Sequence, residues 1–235
     1  MIESVNNEKI KRYSKLDTKK YRDFEGLFIV EGEHLVEEAL KNNIVVEVFS
    51  LDEMEGATLV SRPVMEKLSS LSSVPRMLAV CKKVEYKEPF GNILVLDCIQ
   101  DPGNLGTIIR SACAFGIDTI VASPDTVDLY NIKVLRATEG MIFNVNYVVT
   151  ELDAFLSNLE GYQVFGTNVV NGNIPEDIKL ENNFALIIGN EGKGMNKNLE
   201  KYVDSNVYIP MNSKCESLNA GVATSILLYE FSKKH

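Results

Sequence analysis

The sequence predicts an α/β protein of two successive units: a small α/β unit over residues 1–83 and a larger parallel-sheet unit over residues 92–235, joined by a linker at 84–91. Three observations carry this expectation. Short apolar or β-branched runs alternate with segments of helical period along nearly the whole chain, as they do where strands are connected through helices. In the second half those runs are apolar throughout, the pattern of a parallel sheet covered on both faces. Between the halves lies VEYKEPFG, charged and interrupted by Pro89 and Gly91. With 235 residues, 45% of them apolar, the chain can build a core without staples, and disordered and collagen-like classes are excluded.

The first segment runs from Lys9 to Arg22. Seven basic residues (Lys9, Lys11, Arg12, Lys15, Lys19, Lys20 and Arg22) stand against one acid, Asp17, for a local net charge of +6, with Tyr13 and Tyr21 among them. Basic side chains interleaved with aromatics can neutralise phosphates and stack on unpaired bases. A solvated amphipathic helix explains the same composition, so both readings stand. LFIV (Leu27 to Val30) reads as a strand, and EGEHLVEEALK as a helix with Leu35, Val36, Ala39 and Leu40 on one face. Ile44 to Phe49 is a second strand. Pro63 opens a helix with Val64, Met65, Leu68 and Leu71 inward, and MLAVC is a further strand.

Beyond the linker, strands are expected at Ile93–Leu96, Thr119–Ala122, Val145–Val149, Gln163–Phe165, Phe184–Ile188 and Val207–Ile209. Helix faces between them are marked by Leu105, Ile108, Ile109 and Ala112, and by Leu152, Phe155 and Leu159.

Several chemistries lack raw material. Cys81, Cys98, Cys113 and Cys215 form no CxxC pair and read as small hydrophobes, so neither a disulfide nor a metal site is expected. His34 and His235 are the only imidazoles, too few for a histidine-based triad. No apolar run reaches the ~20 residues of a membrane span, and the polar start MIESVNNEKIKRYS is unlike a signal peptide; the protein is expected to be cytoplasmic, with no membrane partner. A net charge of −9 argues against non-specific nucleic-acid binding, yet it averages over the +6 segment.

Ligands of open α/β sheets bind beyond the carboxyl ends of the strands. Three loops there are unusual. DCIQDPGNLGTIIRSACAFG places Asn104 at a tight turn into a helix and Arg110 off its apolar stripe; GNEGKGMN sets Gly189, Gly192 and Gly194 around Glu191; PMNSKCESLNAG brings Ser217 and Asn219 to the last helix. Each alone reads as turn or capping chemistry. Neither GxGxxG nor GxxxxGK[ST] is present, which disfavours a dinucleotide or ATP enzyme.

Taken together and in order, DPGNLGTIIRSACAFG, IIGNEGKGM and IPMNSKCESLNAGVATSILLYE resemble the three motifs of the SpoU (TrmH-like) RNA ribose 2′-O-methyltransferases of the SPOUT superfamily. SPDTVDLYNIKVLRATEGMIF is similar to the family's intervening stretch. KYRDFEGLFIVEGEHLVEEAL is similar to its N-terminal substrate-binding domain, which has a ribosomal-protein-like α/β fold. The resemblance spans residues 91–235 most fully. It implies a SPOUT domain with a trefoil knot, a homodimer, S-adenosyl-L-methionine as cofactor, and methyl transfer to a ribose 2′-hydroxyl. Ribosomal RNA is the expected substrate, with transfer RNA, or a non-catalytic RNA-binding role, as alternatives. By resemblance, Gly189, Ile209, Leu218 and Thr167 hold the cofactor, and Asn104, Arg110, Glu191, Ser217 and Asn219 surround the reacting centre, Arg110 coming from the partner subunit. The basic residues from Lys9 to Arg22 would then face RNA. Ser213 stands where the family loop commonly has Gly, and Ile132 where it commonly has Pro.

Overall fold

The computed structural model describes residues 1–234, so His235 lies outside the described residues. In chain order the elements are α1 (Glu8–Tyr13), α2 (Lys19–Glu25), β1 (Leu27–Glu31), α3 (Glu33–Lys41), β2 (Val45–Ser50), β3 (Ala57–Leu59), α4 (Arg62–Leu68) and β4 (Met77–Lys82). They continue with β5 (Ile93–Leu96), α5 (Pro102–Ala114), β6 (Thr119–Ala122), α6 (Ile132–Ala137), β7 (Asn146–Val149), α7 (Leu152–Ser157), β8 (Gln163–Thr167), β9 (Phe184–Ile188), β10 (Ser205–Val207) and α8 (Ala220–Ser232). Two compact units result: Met1–Glu85 with Asp128–Phe143, and Tyr86–Val127 with the chain from Asn144 onward. No helix among the described residues is long and apolar enough to cross a bilayer.

In the first unit the strand order is β1-β4-β2-β3, with β4 antiparallel to β1 and β2, and β3 parallel to β2 at the edge. Successive residues of a strand point to opposite faces. Leu27 and Ile29 therefore join Ile10, Tyr13, Leu16, Val64 and Met65 in one core. Phe28, on the other face, meets the rings of Tyr130 at 4.5 Å and Phe143 at 6.2 Å. Those two rings belong to Asp128–Phe143, which leaves the run of larger-sheet strands and returns to this unit.

The basic segment folds as two short helices joined by a 3₁₀ turn, where a single amphipathic helix was the alternative to an RNA-facing stretch. Thr18 is extended and interrupts the helical backbone, and Gly26, at φ +66°, ends α2 in the left-handed region that glycine adopts without strain. Three expectations about side chains are corrected. Tyr13 is 5% exposed and packs edge-on to Phe49, so its ring is core and not a stacking surface. Leu40, expected inward, is half exposed. Cys215 lies on an exposed loop and is not a buried hydrophobe, unlike Cys81, whose thiol burial pushes up to about 12.

In the second unit six parallel strands lie in the order β10-β8-β9-β5-β6-β7. Ile93, Val95, Val121, Ala185 and Ile187 face one core with Leu152 and Leu156 of α7. Leu105, Ile108, Ile109 and Ala112 of α5 are fully buried, as their spacing predicts. Helix α8 packs beside α5: Ser111 and Ser225 share a 2.6 Å hydroxyl hydrogen bond, and Phe231 meets Phe165 and Phe184 at 5.2 and 4.9 Å. The last strand is Ser205–Val207, two residues before the expected Val207–Ile209, because Val207 pairs with Thr167 at its end and not at its start.

Candidate active site

Register decides which loops meet. Leu96 pairs with Ile188 and Val207 with Thr167, so the chain leaves β5, β9, β8 and β10 at one edge of the sheet. Two helices also begin there. Asp101 caps α5 by accepting from the Asn104 N–H at 2.8 Å, with Pro102 in the first turn. Asn219 caps α8 by accepting from the Val222 N–H at 3.2 Å. Neither Asn104 nor Ser217 performs that task.

Asn104 is free for other bonds and is buried, 8% exposed. Its Nδ2 donates to Oε1 of Glu191 at 3.0 Å, and its Oδ1 accepts from Nδ2 of Asn219 at 2.7 Å. Three residues widely separated in sequence thus form one chain of hydrogen bonds. Glu191 also accepts from the backbone N–H groups of Gln100 and Asp101 at 3.2 Å each. Partial burial disfavours its charge, but the Asn104 amide and these N–H groups outweigh that, and the carboxyl is held below its ordinary value.

The loop bearing Glu191 is fixed at both ends. Asn190 donates to the Cys98 carbonyl at 2.7 Å, accepts from the N–H groups of Gly192 and Lys193, and exchanges two backbone hydrogen bonds with Gly194. At the far end the Asn196 N–H donates to Oδ2 of Asp97 at 2.6 Å. Gly189 is required by close approach: a Cβ there would sit 2.2 Å from the Met195 backbone nitrogen. Asn190 and Asp97 were not singled out from sequence. An Asn directly after a glycine in a glycine-rich loop was the available signal for the first, whereas Asp97 carried none.

These loops enclose a cleft of about 490 Å³. Thr167, Gly189, Ile209 and Leu218, the four expected cofactor residues, all line it, together with Glu191 and Ser217. Apolar walls from Val169, Ile188, Ile209, Met211 and Leu218 suit a nucleoside, and the Glu191 carboxylate suits a cation, so the residues present fit S-adenosyl-L-methionine. Ser213 is not among the residues with left-handed backbone, so serine meets no strain there. Arg110 stands apart: it is exposed on α5, forms no ion pair among the described residues, and does not line the cleft.

Of the basic residues in the first unit, Lys9 pairs with Glu47 at 2.9 Å and Arg12 with Glu25. Lys15 lies over the Tyr21 ring at 5.2 Å. Lys11, Lys19 and Lys20 are exposed and form no ion pair among the described residues. Arg22 is withdrawn from any RNA-facing set. It is 6% exposed, donates to the carbonyls of Leu16 and Asp17 at 2.9 and 2.7 Å, and pairs with Asp128 at 2.5 Å.

Residues 91–229 match the SpoU rRNA Methylase family, and residues 7–80 match the MRM3-like substrate binding domain. The chain is 39% identical over 241 residues to the 23S rRNA (guanosine(2553)-2′-O)-methyltransferase RlmP of Bacillus subtilis, covering 97% of both chains. Among solved structures it is similar to the AdoMet-bound rRNA methyltransferase of Sinorhizobium meliloti, with a TM-score of 0.87, 26% identity, and 99% and 97% of the two chains covered. An RNA 2′-O ribose methyltransferase superposes with a TM-score of 0.82 at 26% identity, covering 99% and 98%.

Proposed function

The chain belongs to the SpoU rRNA methylase family, and from that premise we propose that it transfers a methyl group from S-adenosyl-L-methionine to a ribose 2′-hydroxyl of large-subunit ribosomal RNA. The observation that carries the reading is the meeting of Asn104, Glu191 and Asn219 beside a cleft lined by Thr167, Gly189, Ile209 and Leu218. When bound, the cofactor supplies a methyl group on a sulfonium, so the ribose oxygen gains a C–O bond as the C–S bond breaks and the hydroxyl proton departs.

The protein's contribution is alignment and charge. Gly189, Ile209 and Leu218 hold the adenosine moiety, and Thr167 closes the wall beside them. The Glu191–Asn104–Asn219 network keeps the three loops in register. Arginine keeps its charge in proteins, which makes a guanidinium a poor base. Arg110 therefore binds the target phosphate or stabilises the developing oxyanion, while a phosphate oxygen or water takes the proton.

Arg110 comes from the partner in a homodimer. The support is its isolation from the cleft of its own chain, together with the exposed apolar row Val222, Ile226 and Tyr229 on α8, whose neighbouring helix α5 carries Arg110. These three are spaced by four and three residues, one stripe of a helix. The first unit holds the RNA, through Lys11, Lys15, Lys19 and Lys20 in particular, and the reaction takes place in the cytoplasm. Incubation with methyl-labelled cofactor tests the reading, using unmethylated 23S rRNA and bulk tRNA as separate substrates. Incorporation into 23S rRNA supports it; incorporation into tRNA alone would move the substrate, and none into either would leave the non-catalytic role.

A further inference from the structure

Helix α2 displays a phenylalanine to solvent. Phe24 is 82% exposed, the most exposed of the large apolar residues described, and it forms no ring contact among the described residues. Isolated apolar side chains on a surface are ordinary, so exposure alone carries no weight. Its neighbours do. Lys20 lies four residues earlier and Tyr21 three, which places both beside Phe24 on the helix surface. Lys19 and Lys20 form no ion pair among the described residues, so their charge is available to a partner. Tyr21 continues into a groove with Lys11, Lys15 and Lys67; of the two acids there, Asp17 and Glu66, the second is already paired with Arg62 at 3.2 Å.

Free positive charge beside an unpartnered aromatic face is the arrangement that holds single-stranded or looped RNA, the lysines on the phosphates and the ring on a base. A duplex offers the phosphates but keeps its bases stacked internally. We propose that Phe24 stacks on an unpaired base of the RNA substrate, next to a phosphate run held by Lys20 and the Lys11–Lys15–Lys67 groove, so that the first unit selects a loop or bulge and not a duplex. The inference rests on the reading that RNA is the substrate, and it adds the feature of that RNA which is recognised.

The test is binding of the full-length protein to unmethylated 23S rRNA transcript across a range of salt concentrations, for the parent, Phe24→Ala, Phe24→Trp and Lys20→Ala. Because Phe24 is already solvated, its replacement leaves the melting temperature and the affinity for S-adenosyl-L-methionine unchanged. Phe24→Ala is expected to weaken RNA binding by about tenfold or more with the salt slope unaltered, and Phe24→Trp to restore it. Lys20→Ala is expected to lower the salt slope by about 1. Unchanged affinity in Phe24→Ala, or a loss that Trp does not restore, would overturn the stacking role while leaving the RNA reading in place. If the parent itself binds no RNA, both fall.

Discussion

The Nδ2 of Asn104 donates to Oε1 of Glu191 at 3.0 Å, across 87 residues of sequence. This bond ties the entry of α5 to the glycine-containing loop after β9, and Asn219 extends it to the start of α8. The arrangement at this end of the sheet is therefore a property of three loops held together, and the bonds that hold them can be broken one at a time.

Replacing Asn104 with Asp sets a carboxylate against Glu191 and removes the donor between them. Like charges there destabilise, and a buried partner left unsatisfied costs about 1–3 kcal/mol. Asn104→Asp should therefore lower both the melting temperature and kcat more than Asn104→Ala does. Differential scanning calorimetry and single-turnover methylation read the two effects.

Glu191 sets an acid limit. Its folded carboxyl is held below the ordinary value, so its stabilising contribution is present above the unfolded pKa and is lost as pH falls through the folded one. Acid unfolding of Glu191→Gln should show a shallower loss of stability through that carboxylate range than the parent. A curve parallel to the parent's would contradict the assignment.

Gly189 has no room for a methyl group, with the Met195 nitrogen 2.2 Å from where it would sit. In Gly189→Ala the loop must shift, and overpacking of this kind costs about 1–3 kcal/mol. Calorimetric titration should show weaker binding of S-adenosyl-L-methionine, with RNA affinity intact.

Arg22 and Lys11 should behave in opposite ways although both belong to one basic stretch. Arg22→Ala leaves the part-buried Asp128 and two backbone carbonyls without their donor, a loss of about 1–3 kcal/mol in thermal stability. Lys11→Ala leaves stability unchanged and reduces the salt dependence of RNA binding.

The contrast between those two residues marks where sequence reasoning reaches its limit. Strands β5, β6 and β9 were legible to the residue because every position but Thr119 is apolar, and motif resemblance pointed to Gly189, Ile209 and Leu218, which line the cleft. Edge strands were less so. Ala57–Leu59 is three residues long and half-buried, and Ser205–Val207 opens on two polar residues, so neither gives a periodic signal. Charge and ring counts over Lys9–Arg22 could not distinguish Arg22 and Tyr13, which turn inward, from Phe24 just beyond, which turns outward. Burial there is set by contacts with Asp128 and Phe49, distant in sequence. For the same reason, nothing in the local pattern of Asp128–Phe143 announces its return to the first unit.

Partner supply of Arg110 has its own signature. An isologous dimer with crossed sites regains one working site when Asn104→Ala and Arg110→Ala chains are mixed, because one cleft then combines an intact network with an intact arginine. Mixing two such inactive variants should restore methyl transfer. Continued inactivity in a mixture that has demonstrably exchanged subunits would place Arg110 in its own chain's site.

Methyl transfer to a ribose oxygen of ribosomal RNA is measured most directly by the position of the transferred group. Unmethylated 23S rRNA, treated with the protein and S-adenosyl-L-methionine and then with alkali, should acquire one phosphodiester bond resistant to cleavage, because a 2′-O-methyl group cannot attack the adjacent phosphate. That bond should stay labile with Arg110→Ala. Full alkaline cleavage after treatment with the parent protein, or label recovered on a base, would contradict the account.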